Sequence, residues 1–432
     1  MREMKDSGLK WVGQIPKNWR FEKGKYHFLC KKTIPGIQSY KYQRLALTLN
    51  GVIKRSKDDT EGLQPKDFNT YQLLRKNELV FKLIDLQNIS TSRVGLAHDT
   101  GLVSPAYVVL HPNNDVYPQY IEKFYLSMWY REIFNALGDD GVRSNLNSNQ
   151  LLNVMIPIPS YSEQKKIADF LEKKSSHMND LRTDIEKQIE ILEEYKKSVI
   201  TEAVTKGLDQ KVEMKDSGIE WIGKIPKDWI TMKTLYSLSK PITDGPHTTP
   251  TLYDDGVMFV SAEAVSNGNG RIDFSRIRGY ISYDFYKECC KKYKPEIGDV
   301  YMVKSGATTG RVAIVDTNEV FTIWSPLAVF RANTKIIKPE FLFYSLQSDY
   351  FQTQVQTSWS YGTQENIGMR VLEKIKIVVP PLRVQNMIID YLDQKCSQID
   401  LIISSKKEQI ETLDNYKKSL IYEYVTGKKE VI

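Results

Sequence analysis

The sequence predicts an α/β (α+β) fold built twice, as two globular regions joined by two long helices that pair with each other. Three observations predict it: a segment that recurs in mid-chain, two long stretches without proline or glycine, and intervals where short β-rich runs precede aromatic-rich helices. The 432-residue chain is also too long for one hydrophobic core. We therefore interpret it as a tandem duplication.

The first repeated element is a segment that we call the strap. Residues 4–19 read MKDSGLKWVGQIPKNW and residues 214–229 read MKDSGIEWIGKIPKDW, so that eleven of sixteen positions are identical. The mixture of Trp with Gly and Pro is typical of an extended segment. We expect the indole rings of both straps to be anchored in a pocket.

The second repeated element is a long helix. Residues 162–206 and 382–426 contain neither proline nor glycine, so each stretch favours one uninterrupted helix. Apolar side chains recur every seven residues at Leu171, Met178, Ile185, Leu192 and Val199, and again at Leu392, Ile399, Leu413 and Leu420. The intermediate positions of the heptads are held by Leu181, Tyr195, Ile402 and Tyr416. Two matching seams predict that each helix is the other's coiled-coil partner. The alternative is that each helix packs on its own neighbouring domain.

The repeats divide the chain into predicted domains. These are the first strap and first globular domain at 1–161, the first helix at 162–206, the linker with the second strap and second globular domain at 207–381, the second helix at 382–427, and a tail at 428–432. The alignment offset grows from 210 residues at the straps to 221 beyond them, so the second half is eleven residues longer. Straps and helices stayed similar while the globular interiors diverged, as expected when one frame carries two recognition surfaces for different targets.

Composition limits the class of protein. The chain is 41% apolar and 26% charged, with a net charge of +7. Because it has no run of ~18 apolar residues and no apolar signal core, we expect a cytoplasmic protein. The four cysteines and five histidines lack metal-ligand spacing, so we expect free thiols and no metal site. The excess positive charge favours a nucleic-acid partner only weakly.

A small-residue loop in each half is the first candidate site for nucleic acid. Residues 304–311 read KSGATTGR between two strand-like runs, and the corresponding stretch of the first half is 82–93. Glycine backbones and hydroxyls can approach phosphates, while Lys and Arg supply charge or a guanine contact. The alternative is a pair of ordinary hairpin turns with solvated charges. The candidate DNA contacts are Lys82, Asn88, Ser90, Thr91, Ser92 and Arg93 in the first loop, and Lys304, Ser305, Thr308, Thr309 and Arg311 in the second.

A polar turn before the last strand of each half is the second candidate. Residues 141–147 and 362–368 carry Arg, Gln and Asn, whose donors and acceptors match the edges of guanine and adenine. Residues 244–250, DGPHTTP, form a third loop of this kind in the second half. Asn in a turn and a rigid Pro/Gly loop are the structural alternatives. The candidate contacts are Arg143, Asn145, Asn147, Gln364, Asn366, Arg370, His247 and Thr248.

Enzyme motifs are mostly missing from the sequence. No Gly-rich fingerprint follows a strand in the manner of an adenosyl or dinucleotide site, and no Gly-Lys-Ser/Thr loop is present. The run Val379-Pro-Pro-Leu382 lacks the polar and aromatic neighbours of an amino-methyltransferase loop. We therefore expect no catalytic residue on this chain, and a protein that binds rather than reacts.

Taken together, these motifs resemble the specificity (S) subunit of type I restriction-modification systems. The resemblance rests on the strap pattern KDSGxxWxGxIPxxW, the SGATTGRV loop, the GLVSPAYVVL strand and paired helices that carry YKKSxI. It covers essentially the whole chain, and the combination is far more specific than any single motif. The resemblance implies two target-recognition domains, each an α/β unit, held apart by two long antiparallel helices. Each domain would recognise one half of a split DNA sequence.

The same resemblance implies partners and cofactors. The chain would be a non-catalytic subunit that binds double-stranded DNA, two modification (methyltransferase) subunits and restriction (translocase and nuclease) subunits. It would bind no cofactor itself, with S-adenosylmethionine, ATP and Mg²⁺ expected on partner subunits. Ile189, Ile200, Ile403 and Ile410, beside the main seam, are expected either to dock modification subunits or to form the core of the bundle. The alternatives to this function are a coiled-coil protein-binding scaffold without sequence-specific DNA recognition, and a nuclease or methyltransferase with degenerate motifs.

Overall fold

The chain forms two compact units. The computed structural model describes residues 2–59, 67–87, 91–137, 145–209, 211–358 and 366–431. Unit 1 consists of residues 1–185 and 407–432, and unit 2 consists of residues 186–406. Each unit therefore contains one strap, one globular region and a part of each long helix. In the described part of the chain, every helix is too short or too polar to span a lipid bilayer.

Unit 1 combines short strands with three helices and the start of a long one. Its strands are β1 (Met4–Asp6), β2 (Gln14–Pro16), β3 (Arg20–Lys23), β4 (Phe28–Leu29), β5 (Gln43–Thr48), β6 (Gly51–Arg55), β7 (Gln72–Leu74), β8 (Leu79–Phe81), β9 (Val94–Leu96), β10 (Gly101–Val103), β11 (Val108–Pro112) and β12 (Met155–Ile158). Its helices are α1 (Pro118–Tyr130), α2 (Ile133–Leu137), α3 (Ser148–Leu152) and the first part of α4 (Tyr161–Lys206). The strand orders are β1-β2, β6-β5-β10-β7, β4-β11-β8-β9 and β12-β3.

Unit 2 repeats the plan with different insertions. Its strands are β13 (Met214–Asp216), β14 (Lys224–Pro226), β15 (Ile230–Lys233), β16 (Thr243–Asp244), β17 (Val257–Val260), β18 (Tyr280–Ile281), β19 (Val300–Val303), β20 (Val312–Ile314), β21 (Phe321–Ile323), β22 (Leu327–Phe330) and β23 (Lys376–Val379). Its helices are α5 (Thr234–Ser237), α6 (Ala262–Asn267), α7 (Tyr283–Lys292), α8 (Pro339–Gln347), α9 (Asp349–Thr357), α10 (Met369–Lys374) and the first part of α11 (Leu382–Val425). The strand orders are β13-β14, β15-β23, β16-β22-β19-β20 and β18-β17-β21.

The two globular regions share one sheet topology. The order β4-β11-β8-β9 in unit 1 corresponds to β16-β22-β19-β20 in unit 2, and the parallel pair β5-β10 corresponds to β17-β21. The units differ between their second sheet and the central hairpin, where unit 2 inserts α6 and α7. The predicted extra length of the second half therefore accompanies two helices that unit 1 replaces with other strands.

A buried glutamine in the first turn of each long helix ties that helix to the globular core. Gln164 is fully buried, its Oε1 accepts from the Tyr117 backbone N–H at 2.7 Å, and its Nε2 donates to the carbonyls of Asp115 and Pro159 at 3.0 and 3.1 Å. Gln385 makes the same three bonds. Its partners each lie 221 residues after those of Gln164: Lys338, Ile336 and Pro380, at 2.7, 2.9 and 2.8 Å. The offset found in the sequence is thus a repeated set of contacts.

The long helices run antiparallel inside each unit. In unit 1, Arg182 donates to Asp414 at 3.0 Å and Lys417 donates to Asn179 at 2.8 Å. A step of three residues forward on α4 is therefore a step of three residues backward on α11. The same helix segments also contribute Leu171 to the hydrophobic core of unit 1, so helix pairing and packing on the domain occur together. The prediction that the helices pair is confirmed within each unit.

The second row of the predicted seam is displaced by one residue. The intermediate positions named from the sequence are exposed: Leu181 (40%), Tyr195 (47%), Ile402 (47%) and Tyr416 (54%). The buried and half-buried second row instead contains Ser175, Ile189, Lys196, Cys396, Ile403 and Ile410. The reason is that each helix faces both its partner and a globular core, which requires a broader stripe than a two-stranded seam. Ile200 and Ile403 are accordingly core residues, not a docking surface.

The second tryptophan of each strap covers the end of a long helix. Trp19 and Trp229 are 1% and 4% exposed. Gly427 and Gly207, at the helix ends, have φ of +71° and +78°, and a Cβ there would lie 3.0 and 3.1 Å from these indole rings. Glycine is needed because the backbone turns left-handed directly beneath an aromatic ring.

The first tryptophan of the strap behaves differently in the two units. Trp11 is half-buried and lies 5.7 Å from the ring of Phe124. Trp221 is 51% exposed. The prediction of anchored indoles is therefore confirmed for the second tryptophan of each strap and wrong for Trp221, because residue 345 of unit 2, a serine, stands where unit 1 has Phe124.

Candidate nucleic-acid interface

In unit 1 the two predicted polar segments meet through the backbone. A hydrogen bond from Lys82 N–H to the Arg93 carbonyl, at 3.0 Å, closes the β8-β9 loop. Leu146, from the polar turn, donates its N–H to the Leu83 carbonyl in that loop at 2.9 Å. The hairpin loop and the polar turn thus form one continuous surface element.

Unit 2 repeats this junction at the same offset. Val303 N–H donates to the Arg311 carbonyl and Ile367 N–H donates to the Lys304 carbonyl, both at 2.9 Å. Lys304 consequently occupies the place of Leu83, and not that of Lys82 as the sequence comparison suggested. The cause is that the hairpin loop of unit 2 is three residues shorter, so residues matched by type are not matched by position.

Two of the predicted contacts in unit 1 are buried. Arg93 is 1% exposed and donates to the backbone carbonyls of Asp85 at 2.6 Å and Ile84 at 3.5 Å. Ser92 is also 1% exposed and donates to the Val94 carbonyl at 2.7 Å. The prediction that Ser92 and Arg93 contact DNA is corrected on this ground. Asp85 takes a left-handed φ of +54°, and the loop turns carbonyls inward that need an internal donor, which Arg93 supplies.

Lys82 and Thr91 form the half-buried neck of the same loop. The Lys82 ammonium donates to the Thr91 hydroxyl at 3.1 Å. Burial lowers the pKa of Lys82, the charge of Arg93 lowers it further, and Asp85 opposes this shift. A lysine already held by a side-chain acceptor supports the loop as much as it offers charge to a ligand.

The two asparagines of the polar turn combine structure with exposure. Asn145 accepts from the Asp85 N–H at 3.0 Å, and Asn147 caps α3 by accepting from the Gln150 N–H at 2.9 Å. Both side chains are nevertheless exposed. The structural use expected for Asn in a turn is therefore present, and both residues stay predicted contacts.

The loop of unit 2 holds itself in place and exposes its later residues. The Thr309 hydroxyl donates to the Gly306 carbonyl at 2.7 Å, and Ser266 of α6 donates to the Thr308 hydroxyl at 2.8 Å. Gly306 has φ of +102°, which favours glycine at this turn. Thr308 and Arg311 are exposed, whereas Thr309 is half-buried. Thr308 and Arg311 are therefore the most accessible of the predicted contacts in this loop.

The remaining predicted residues of unit 2 flank that loop. Half-buried Ser305 pairs with exposed Asn366 in an isolated antiparallel bridge, and Arg370 lies exposed in the first turn of α10. Four further predicted contacts lie outside the described residues: Asn88, Ser90, Arg143 and Gln364.

A buried carboxylate gathers the basic groups of unit 2. Asp244 is 1% exposed, accepts from the ammonium of Lys292, and lies 3.3 Å from the Lys304 ammonium and 3.1 Å from His247 Nε2. Burial alone would raise the pKa of Asp244. The hydrogen bond and charge of Lys292, with the charges of Lys304 and His247, outweigh burial and hold that pKa below its ordinary value. Asp244 thus fixes three basic side chains at one point.

The sequence did not indicate every member of this cluster. Lys292 ends α7, 48 residues from Asp244, and its KECCKK context carries no loop signal. Arg278 is exposed and lies 3.9 Å from the ring of Trp324, the residue that follows β21. Only the folded chain brings such residues to the site.

Metal binding has no visible basis in this region. Within the described ranges, no group of three or more His, Cys, Asp or Glu side chains is placed to hold a metal ion. Cys30, Cys289, Cys290 and Cys396 are free thiols.

Two α/β units with polar loops on a repeated frame define a two-domain nucleic-acid-recognition protein. The profile of the family "Type I restriction modification DNA specificity domain" matches residues 22–191 and 226–412. The chain therefore belongs to this family and carries two copies of its specificity domain.

Individual relatives agree with the family. The chain is similar to the putative type I restriction enzyme MjaX specificity subunit of Methanocaldococcus jannaschii, with 25% identity across 97% of this chain and 96% of that protein. It is also similar to the type I restriction enzyme EcoBI specificity subunit of Escherichia coli, with 23% identity across 69% and 63% of the two chains. A chain solved in a study of complex assembly and conformational transition of the type I R-M system has the same fold. Its TM-score is 0.67 at 16% identity, over 96% of this chain and 99% of that chain.

Proposed function

We propose that each unit of this specificity subunit recognises one half of a bipartite DNA site within a type I restriction-modification complex. The observation that supports this is the repeated junction between hairpin loop and polar turn, built by equivalent backbone hydrogen bonds at Leu146 and Ile367. The backbone is repeated while the side chains on it differ. A shared frame with different polar surfaces suits recognition of two different half-sites.

The proposed contacts are the exposed and half-buried polar residues of these segments. In unit 1 they are Lys82, Thr91, Asn145 and Asn147, and in unit 2 they are His247, Thr248, Lys304, Ser305, Thr308, Thr309, Arg311, Asn366 and Arg370. Arg and Asn offer paired donors and acceptors to base edges, while Lys and Thr suit phosphates. Asn88, Ser90, Arg143 and Gln364 stay in the proposal on their sequence positions alone.

The long helices are proposed to carry two modification subunits. Large apolar side chains stand exposed along both helices, including Ile191 at 63%, Leu401 at 68% and Tyr416 at 54%. Exposed apolar residues recurring along a helix favour packing of partner helices. Restriction subunits would join the same complex.

Catalysis and cofactors are proposed to reside on the partners. This chain would hold no cofactor, the modification subunits would use S-adenosylmethionine, and the restriction subunits would use ATP and Mg²⁺. The purified chain should then neither methylate nor cleave DNA. Either activity in the purified chain would contradict a non-catalytic role.

The test is to co-express the chain with modification subunits from its own genome, supply the methyl donor, and sequence the DNA for new methylation. We expect a single motif split into two halves by unspecified bases. A stable complex that leaves no methylated motif would instead support the protein-binding scaffold.

A further inference from the structure

Unit 1 contains an acid-free basic segment that lies outside the loops predicted to contact DNA. Residues 23–57 include nine Lys and Arg and no Asp or Glu. Aromatic and aliphatic residues are interspersed among these cations. Such a pattern is typical of a surface that binds an anionic polymer.

The segment exposes its apolar side chains on one short turn. Ile34, Ile37 and Tyr40, in and just before the 3₁₀ turn Gly36–Lys41, are 52%, 83% and 74% exposed. Lone exposed apolar residues are ordinary, but three within seven positions indicate a binding surface. We call these three residues, with Lys31 and Lys41, the turn patch.

The backbone beneath the turn patch is fixed. Ser39 is 5% exposed and its hydroxyl donates to Asn69 Oδ1 at 2.8 Å, while its carbonyl accepts from the Lys57 ammonium at 2.9 Å. Leu73 in β7 donates its N–H to the Thr33 carbonyl at 2.8 Å. The apolar side chains therefore project from an anchored turn.

The cations of the turn patch are available for an external anion. Lys31 and Lys41 are exposed, and neither forms an ion pair with any residue in the described ranges. The Lys41 ammonium lies 5.8 Å from the centre of the Tyr40 ring. Charge and apolar surface are therefore presented side by side.

The segment lies beside the proposed interface of its own unit. The Cys30 thiol hydrogen-bonds to Ser148, the neighbour of Asn147 in the polar turn. In unit 2 the loop that follows the equivalent strand β16 contains His247 and approaches Lys304 through Asp244. Unit 2 thus has three polar segments at its interface, and the turn patch supplies the third segment of unit 1.

We propose that the turn patch is a DNA-contact element of unit 1, in which Ile37 and Tyr40 pack against bases or sugars while Lys31 and Lys41 neutralise phosphates. Apolar wedges flanked by cations are typical of proteins that bind a DNA groove. Protein interfaces are instead depleted in lysine. The inference rests on the proposed function and names one of its contact surfaces.

The experiment uses the complex with modification subunits and a labelled duplex that carries its methylated motif. The variants are Ile37→Ala/Tyr40→Ala and Lys31→Ala/Lys41→Ala. The matched control is Ile297→Ala/Tyr283→Ala, since these residues of unit 2 are 59% and 60% exposed. Assembly of each complex is measured by size-exclusion chromatography, and duplex affinity is measured at several salt concentrations.

The two variants should weaken binding in different ways. Loss of the apolar pair should reduce specific affinity about tenfold without changing the salt dependence, because stacked or buried side chains carry no charge. Loss of the lysine pair should reduce the slope of log affinity against log salt by about 2, at ~0.9 per phosphate contact. The control and Tyr40→Phe should bind as the unaltered complex does.

The outcomes separate this inference from the proposed function. If the unaltered complex methylates a split motif while both variants bind as the control does, the inference is overturned and the function stands. If the variants bind DNA normally but fail to retain modification subunits, the turn patch is a protein interface and the inference is again overturned. If the unaltered complex methylates no motif, the proposed function itself fails.

Discussion

Replacing Asp244 by Asn tests whether the buried carboxylate organises the interface of unit 2. The substitution keeps the size and one acceptor oxygen of the side chain but removes its charge. Lys304, with a side chain 12% exposed, would then remain largely buried beside a neutral amide. Lys292 and His247, whose side chains are 49% and 70% exposed, can turn towards water.

The expected cost follows from those exposures. Removing one partner of a buried ion pair costs ~3–5 kcal/mol, because the other charge is left uncompensated. The accessible partners place Asp244→Asn at the lower end, about 3 kcal/mol of local stability. Since the pKa of Asp244 is held below its ordinary value of 3.8, the carboxylate's stabilisation is complete above that value and is lost as pH falls through the lowered pKa. Measurement near pH 7 therefore compares the fully charged carboxylate with the amide.

Amide hydrogen exchange followed by mass spectrometry is the suitable assay, because a chain of two units need not unfold in one step. Peptides that cover residues 240–250 and 300–311 should exchange roughly 100-fold faster in the variant. Asp254→Asn is the control, because it removes the same charge at an exposed position of the same segment. In the assembled complex, Asp244→Asn should retain non-specific DNA affinity and lose discrimination at one half-site.

Two results would refute this reasoning. One is unchanged exchange in both peptides, which would mean that Asp244 holds nothing in place. The other is an equal change in Asp254→Asn, which would mean that net charge rather than the buried contact is responsible.

Three further predictions follow from contacts in the long helices and straps. Gln385→Ala should cost ~3 kcal/mol and speed exchange at the start of α8, because three hydrogen bonds to a fully buried side chain are lost. Trp229→Ala should cost ~3–5 kcal/mol in thermal unfolding monitored by circular dichroism, whereas Trp221→Ala should change stability by less than ~0.5 kcal/mol. Arg182→Ala should cost less than ~1 kcal/mol in the same assay, because its ion pair with Asp414 is exposed, and a larger loss would contradict a surface role.

The duplicated frame was predictable because it depends on local sequence signals. Repeated straps need only comparison of the chain with itself, and helices without proline or glycine need only propensity. The offset of 221 residues even located Gln164 and Gln385 opposite each other, although nothing in the sequence marked either as buried. Burial of a polar side chain depends on backbone groups distant in sequence, here the carbonyl of Asp115 and its counterpart.

The seam shows where a periodic pattern misleads. Leu181 and Ile402 fit a heptad repeat, yet both are at least 40% exposed. A heptad pattern describes contact between two helices, whereas these helices also lie on globular cores. The pattern could not reveal a third surface, and the buried stripe followed the broader requirement.

The candidate site was predictable as segments and not as individual residues. Gly-rich and polar loops marked where the backbone would turn, and the hairpin loop and polar turn do meet in each unit. Whether an arginine in such a loop faces outward is decided by unsatisfied carbonyls nearby, as Arg93 illustrates. Lys292 illustrates the opposite case, because a residue on a helix joins the interface through Asp244.

The most direct test of the central claim, that each unit recognises its own half-site, is to exchange one hairpin loop and sequence the methylated DNA. Residues 304–311 would be replaced by the equivalent loop of a family member with a different motif, and residues 82–93 would be replaced in a second variant. We predict that each exchange alters or abolishes one half of the split motif, a different half for each variant, and leaves the other half intact. A motif in which both halves change together, or in which neither changes, would contradict the account.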